Sequence, residues 1–396
     1  MRTGGMRIAE ISLPAVRHNV RRIKELSGGQ VIVVVKADGY GHGAAIIAQA
    51  AMDGGATMLA TADLEESLRL REAGVEVPLL CWLHGPRTDF GAAIEQRIEL
   101  GVNNLAQLDA IAEASRAAGL RATVQLKVDT GLSRNGIQPS DWEVVFARAA
   151  ELVAEGTISV RGIFSHLANA GADADRAQAA NFDEAIALLA AHGVEPEMRH
   201  LAASAATLSS PHLHYDTVRI GVAAYGLSPL ADKTSAQLGL VPAMTLKSEI
   251  VALRGVPAGT GVSYGYNHVC ETATTLALVP MGYADGMPRA LNGSGAWVTV
   301  AGEHRPIVGR IGMDQFIVDV GPLAGRLELG EPVVLFGDPE RGAPPVEIWA
   351  GLMRTINYEI IVGIGPRVLR VPVEEPLAPD AVEPDEAIAE PVRSDA

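Results

Sequence analysis

The sequence predicts an α/β protein in which a (β/α)8 TIM-type barrel is followed by a mostly antiparallel β domain. Eight short β-branched or apolar runs alternate with longer Ala/Leu/Glu/Arg stretches of helical character over about 220 residues, which is the count of such a barrel. The runs are almost continuously apolar, as parallel strands buried on both faces must be. A doubly wound sheet would share the alternation, but the chain has neither a G-x-G-x-x-G turn nor a G-x-x-x-x-G-K-[ST] phosphate loop. After about residue 235 the texture changes to short alternating runs rich in Val, Thr, Gly and Pro, the pattern of an antiparallel β domain with tight turns.

Taken in order, segment 8–13 alternates apolar with polar and is expected to join the C-terminal sheet, giving residues 1–13 to that domain. A helix over 14–26 opens the barrel, which is expected to span 14–235. Its strands are predicted near 31–35, 57–60, 77–82, 97–102, 122–128, 159–164, 197–201 and 216–220. Helices are predicted near 43–53, 63–73, 89–96, 104–118, 140–155, 175–192 and 202–209. The β domain, 236–373, holds alternating runs at 246–254, 273–279, 296–301 and 315–320. Residues 374–396 carry eight acids against Arg393 alone, with four prolines and no aromatics. Such a segment cannot bury enough apolar surface to order itself, so a disordered acidic tail is expected.

Composition excludes several functions. The net charge is −15, of which the tail holds −7. With no basic stripe and few aromatics there is no footprint for nucleic acid. No apolar run is long enough to span a bilayer, and the N-terminal residues lack the apolar core of a secretory leader. Two distant cysteines, Cys81 and Cys270, support neither a disulfide framework nor a zinc ribbon, so no metal is expected and the cytoplasm is the expected compartment.

In a (β/α)8 barrel the chemistry collects where the strands end. After the first strand comes Lys36-Ala37-Asp38-Gly39-Tyr40-Gly41-His42-Gly43. Lys36 is either an amine desolvated by the strand before it, and so a Schiff-base candidate, or a surface lysine on a glycine-rich loop. Its glycines allow a close backbone approach to a ligand. The fifth strand end carries Lys127 and, seven residues on, Arg134, which is able to grip a carboxylate. The sixth carries Ser165 and His166. The seventh opens a helix at Ser204, and the eighth reads Arg219-Ile220-Gly221-Val222. An amine, a phosphate cradle and an inward-facing arginine, arriving together at successive strand ends, make a pyridoxal 5′-phosphate (PLP) site.

At these residues the chain resembles the alanine racemase family, fold-type III PLP enzymes, over about residues 8–370. The resemblance rests on Val35 to Gly43, Lys127-Val128-Asp129-Thr130-Gly131, Ser165-His166, Ser263-Tyr264-Gly265, Gly282-Tyr283-Ala284-Asp285-Gly286 and Gly309 to Gln315. It implies interconversion of L- and D-alanine, supplying D-alanine for peptidoglycan, by a homodimer with shared active sites. It implies that Lys36 holds PLP as an internal aldimine and is one catalytic base, with Tyr264 of the partner subunit as the other. Arg219 would face the pyridine nitrogen. Tyr40, Ser204, Gly221, Val222 and Tyr358 would hold the phosphate. Arg134 and the Met313 N–H would grip the substrate carboxylate. His166 would lie between Tyr264 and Arg219, and Tyr283, Arg289, Arg310 and Asp314 would line the substrate entrance. Lys127 matches a lysine that some family members carbamylate.

Physical chemistry agrees with that division. Racemisation needs a base on each face of a planar carbanion, because one base tends to return the proton to the face it left. A tyrosine, ordinarily near ~10, serves only if cations lower it. An arginine at the pyridine nitrogen keeps that atom unprotonated and weakens the electron sink, which disfavours transamination. Two departures stand out: Ala203 where the family often has asparagine, and Val368-Leu369-Arg370-Val371-Pro372 where a tyrosine commonly follows the second arginine. The competing readings are a broad-specificity racemase, a fold-type III decarboxylase, against which Arg219 argues, and a non-catalytic PLP carrier, which would lack the second domain.

Overall fold

The computed structural model describes residues 5–375. Strand β1 (Arg7–Ser12) buries alternate residues, Ala9 and Ile11, as its sequence requires. Helix Leu13–Ser27 follows directly, capped by the Ser12 hydroxyl on the Ala15 N–H.

The eight barrel strands are β2 (Gln30–Val34), β3 (Met58–Thr61), β4 (Leu79–Cys81), β5 (Ile98–Val102), β6 (Ala122–Lys127), β7 (Ile158–Phe164), β8 (Met198–His200) and β9 (Thr217–Ile220). They pair in parallel in chain order, and β9 returns beside β2. The Arg219 N–H donates to the Ala202 carbonyl at 3.0 Å, bringing β9 against the chain just past β8. Every residue of β3, β4, β5 and β9 is buried, which is why these runs are mainly apolar, broken where Glu99 and Arg219 point into the barrel. Full burial of each Val, Leu or Ile here contributes roughly 1.5–3 kcal/mol. Asp63, Asp89 and Asn104 each accept the backbone N–H three residues on, so three of the barrel helices start where a side chain satisfies their first free donors.

The second sheet has nine strands, ordered Ala252–Val256, Thr274–Val279, Phe316–Asp319, Glu303–Val308, Trp297–Val300, Pro332–Phe336, Met244–Glu249, β1 and Leu369–Val373. β1 is antiparallel to Met244–Glu249 and parallel to Leu369–Val373. The alternating run at 246–254 is two strands in different parts of the sheet. The chain turns at Ile250, which is fully buried, so one half pairs with β1 and the other with Thr274–Val279. Alternation records which face is buried but not which neighbour is met. The helix predicted at 175–192 runs from Ala172 to Ala191.

Asn19 ties the two domains together. Its amide donates to the carbonyls of Ala224 and Val241 and accepts the Val241 N–H, all buried. Of the acidic segment, Glu374 pairs with Arg17 and Glu375 with Arg341; residues 376–396 lie outside the described residues. Among the described residues no helix is long and apolar enough to cross a membrane.

Candidate active site

Beyond β2 the backbone coils the wrong way. Ala37, Asp38 and Tyr40 have φ near 51° and Gly39 has φ 62°, a left-handed turn that opens with Lys36. Left-handed geometry costs an ordinary L residue roughly 1–2 kcal/mol, and the surroundings offset it. The Glu66 carboxylate accepts the N–H of Ala37 at 2.6 Å and of Ala62 at 2.9 Å. Asp38 accepts the Ala44 N–H at 2.8 Å, and the Arg370 guanidinium donates to the Gly41 carbonyl at 2.9 Å. The turn is thus pinned at its start, middle and end, and it fixes where Lys36 and Tyr40 project.

Four cations share this end of the barrel. Burial pulls the Lys36 amine below the ordinary lysine value and Arg134 pushes it further, with Glu66 opposing. Lys127, the last residue of β6, is buried, and burial followed by Arg219, Arg134 and Lys36 brings it to about 8. Arg219 is buried without a carboxylate in contact, and burial lowers it to about 10. Its donors go to neutral groups: the Ser165 carbonyl at 2.6 Å, the His200 carbonyl at 2.8 Å and Nδ1 at 3.1 Å, and His166 Nδ1 at 3.2 Å. Because a guanidinium only donates, both histidines turn a lone pair toward it. Burial, then Arg219, holds His166 at about 3, so it stays neutral at physiological pH. Such a cluster, opposed by little negative charge, is built for an anion.

A backbone cradle lies beside it. Ser204 Oγ accepts the N–H of Gly221 at 3.1 Å and of Ala223 at 3.4 Å, and Val222 between them is buried. A Cβ on Gly221 would fall 2.2 Å from the Tyr40 hydroxyl oxygen, so only glycine admits that hydroxyl to this backbone. The Tyr40 ring stacks on Tyr225 at 4.9 Å, and the Tyr358 ring is 6.3 Å away. Burial pushes the Tyr358 hydroxyl up to about 12 and raises Tyr40 as well, so both remain hydrogen-bond donors. Ala203, at the start of the Ser204–Ser209 helix, makes no side-chain cap bond.

The fold therefore gathers Lys36, Tyr40, Lys127, Arg134, His166, Ser204, Arg219, Gly221, Val222 and Tyr358 at the barrel mouth. Tyr358 reaches that mouth from the β domain, where the remaining predicted residues also lie. Tyr264 is 70% exposed in a cavity lined by Arg310, Gly312 and Gln315 of that same domain. Tyr283 and Met313 are exposed close by, joined through the Tyr283 N–H to the Gly312 carbonyl and the Ala284 N–H to the Met313 carbonyl. Asp314 pairs with Arg367, which also grips the fully buried Asp285. Arg289 is exposed on a short turn, Arg289–Leu291. Tyr264, Tyr266, Tyr283 and Met313 leave this stretch of the β domain rich in exposed aromatic and apolar side chains.

Sequence reasoning passed over Glu66, Gln125, His200, Tyr225 and Arg370. His200 ends β8 and was open to the same strand-end rule. Gln125 is a lone amide inside an apolar strand. Glu66, Tyr225 and Arg370 gave no local signal for the site, because the backbone each reaches there (Ala37, Val34 and Gly41) is distant in the chain.

Comparison with known proteins agrees with this geometry. The sequence model of the alanine racemase N-terminal domain matches residues 11–229, and that of the C-terminal domain matches residues 243–372. An alanine racemase from Thermobifida fusca is 44% identical over 367 residues, 92% of this chain and 97% of that protein. One from Streptomyces coelicolor is 46% identical over 377 residues, covering 93% and 96%. The crystal structure of alanine racemase from Streptomyces lavendulae superposes with a TM-score of 0.90 at 47% identity, over 94% of this chain and 98% of that one.

Proposed function

The chain belongs to the alanine racemase family and interconverts L- and D-alanine, and on that premise we propose that its site works with PLP on Lys36 and with Tyr264 of the partner subunit as the opposing base. The observation that carries this reading is Arg219, a buried cation with neutral partners only, at the same barrel mouth as a desolvated lysine and a backbone cradle. The cradle suits a phosphate. Ser204, the Gly221 backbone and the Tyr40 hydroxyl converge there, with Val222 and Tyr358 beside them. A cation facing a pyridine nitrogen leaves that atom unprotonated, whereas an acid would protonate it.

When bound, PLP supplies the electron sink that makes the α-hydrogen of an amino acid removable. The protein's own groups do the rest. The Lys36 amine, its basicity lowered by burial and then Arg134, is placed to take and return a proton on one face. Tyr264 of the partner subunit serves the other face. Arg134, with the Met313 N–H of the partner subunit, orients the substrate carboxylate bidentately, so that the α-hydrogen points at one base or the other. His166, neutral and bonded to Arg219, bridges that cation to the tyrosine.

Sharing of the site between two copies explains why Tyr264 stands exposed on its own chain, with Tyr283, Arg289, Arg310 and Asp314 as the entrance around it. The buried, free thiols of Cys81 and Cys270 support the cytoplasm as the working compartment, where the product would supply D-alanine for peptidoglycan. The test is chiral chromatography of L-alanine incubated with the protein and PLP, alongside L-serine, L-lysine and L-glutamate. Equal D- and L-alanine, with the other substrates little changed, is expected. Comparable racemisation of all four would make it a broad-specificity racemase, and no D-alanine would defeat the proposal.

A further inference from the structure

We propose that Glu99 and Gln125 are positioning residues for Arg219, acting through His200 along a one-way hydrogen-bond chain inside the barrel. The inference rests on the reading of Arg219 as the group that faces the cofactor's ring nitrogen. The chain starts at that arginine. Its Nη1 donates to His200 Nδ1 at 3.1 Å, so a neutral His200 ring must carry its proton on Nε2. That atom lies 2.7 Å from Gln125 Oε1, an acceptor. Gln125 Nε2 then donates to Glu99 Oε2 at 2.7 Å, and Arg161 closes the far end on Glu99 Oε1. Each link works in one sense only. Reversing any of them sets two donors or two lone pairs face to face.

The barrel is shaped around this chain. Glu99, Gln125 and His200 occupy interior positions on β5, β6 and β8, where apolar side chains would otherwise pack, and all three are buried. β7 makes room for the amide. Its Gly162 lies where a Cβ would be 2.7 Å from Gln125 Oε1, and the β6–β7 register shifts between Val124 and Gln125. Phe164 lies flat against the His200 ring, 4.8 Å away and 6° from parallel, and also 5.5 Å from the Arg219 guanidinium.

A carboxylate placed directly on Arg219 would neutralise the charge that the ring nitrogen meets. Two neutral side chains in between hand Arg219 a lone pair while holding the anion away. Arg219 and Glu99 thereby hold one tautomer from opposite ends of the chain, the tautomer holds the guanidinium plane, and Glu99 and Gln125 act only through His200.

The experiment is NMR of the protein carrying 15N-labelled histidine, measured before PLP is added, with His200 assigned by its loss in His200→Gln. Wild-type His200 is expected as a neutral ring protonated on Nε2. In Glu99→Gln the terminal acceptor becomes an amide that can also donate, and His200 should show both tautomers. The dissociation constant for PLP, read from cofactor absorbance, should rise about tenfold, equivalent to about 1.4 kcal/mol. If Glu99→Gln does not fold, Gln125→Met cuts the chain at its links to His200 and Glu99 and should mix the tautomers too. A wild-type His200 protonated on Nδ1 overturns the proposal. So does a variant that melts earlier with tautomer and PLP affinity unchanged, since that is packing alone. Failure of the wild-type protein to bind PLP would defeat the reading of Arg219 instead, with the tautomer still measurable.

Discussion

The Arg370 guanidinium reaches the Gly41 carbonyl at 2.9 Å, fastening the last strand of the β domain to the turn that presents Lys36. Its remaining donors bind the carbonyls of Gly365, Val368 and Ile364. One side chain thus holds a left-handed turn of the barrel against a segment more than three hundred residues later. Arg370→Ala should lower stability by about 2–3 kcal/mol, as expected for losing charged hydrogen bonds to buried carbonyls, and should speed PLP loss on gel filtration. Arg370→Lys, with a single charged tip, should fall between. A variant with an unchanged urea midpoint and unchanged cofactor retention would show that the turn holds its shape unaided.

The covalent assignment is testable by chemistry alone. Lys36→Ala should retain no PLP after borohydride reduction, whereas the reduced wild-type protein should carry the label on the peptide spanning 31–43. Lys127 is the informative alternative, since it too is a buried lysine of lowered basicity. A label on Lys127 would reassign the cofactor lysine.

Assembly has its own test. Lys36→Ala and Tyr264→Phe, each inactive alone, should regain activity when mixed under conditions of subunit exchange. Half the dimers would then hold one intact site, giving about a quarter of wild-type activity at equal mixing. A tyrosine acting within its own chain would leave every site with a lesion. No recovery, with exchange verified independently, would therefore exclude a shared site.

Lys127 makes stability depend on pH. In the unliganded fold it titrates at about 8, below the ordinary lysine value of 10.5, because burial and then Arg219, Arg134 and Lys36 disfavour its charge. Between those values the unfolded chain holds a proton that the folded one has shed. Stability should therefore rise with pH from about 8 to 10.5 and level off above. Lys127→Met should flatten that rise, as should saturating sulfate, which offsets the repulsion. The readout is the difference in melting temperature between the two proteins at each pH, and equal pH slopes would contradict the assignment.

Most of the barrel is legible in the sequence because burial on both faces leaves mainly apolar runs, so that each predicted strand overlaps its observed one closely. The residues gathered at the mouth were legible for a related reason, since strand ends converge in this fold whatever the loops do. The division of 246–254 was not, because Met244–Glu249 and Ala252–Val256 alternate alike while pairing with different partners. Nor was the left-handed turn, where Ala37, Asp38 and Tyr40 adopt φ values that their residue types resist and that Glu66 and Arg370 enforce from elsewhere. The interior chain from Glu99 to His200 depends on which side chains of β5, β6 and β8 meet inside the barrel, across β7 in its last link, and no local pattern encodes it.

The place of β1 has a consequence for how the protein is made. This strand leaves the ribosome before either of its two partners, Met244–Glu249 and Leu369–Val373. At typical rates of about 5–20 residues per second, the second partner emerges roughly 20–70 seconds later. The barrel strands can pair during that interval, while the nascent chain carries an orphan strand with both edges open. A messenger truncated ahead of Leu369–Val373 would yield a chain in which β1 keeps one edge permanently bare, which marks such fragments for aggregation or proteolysis.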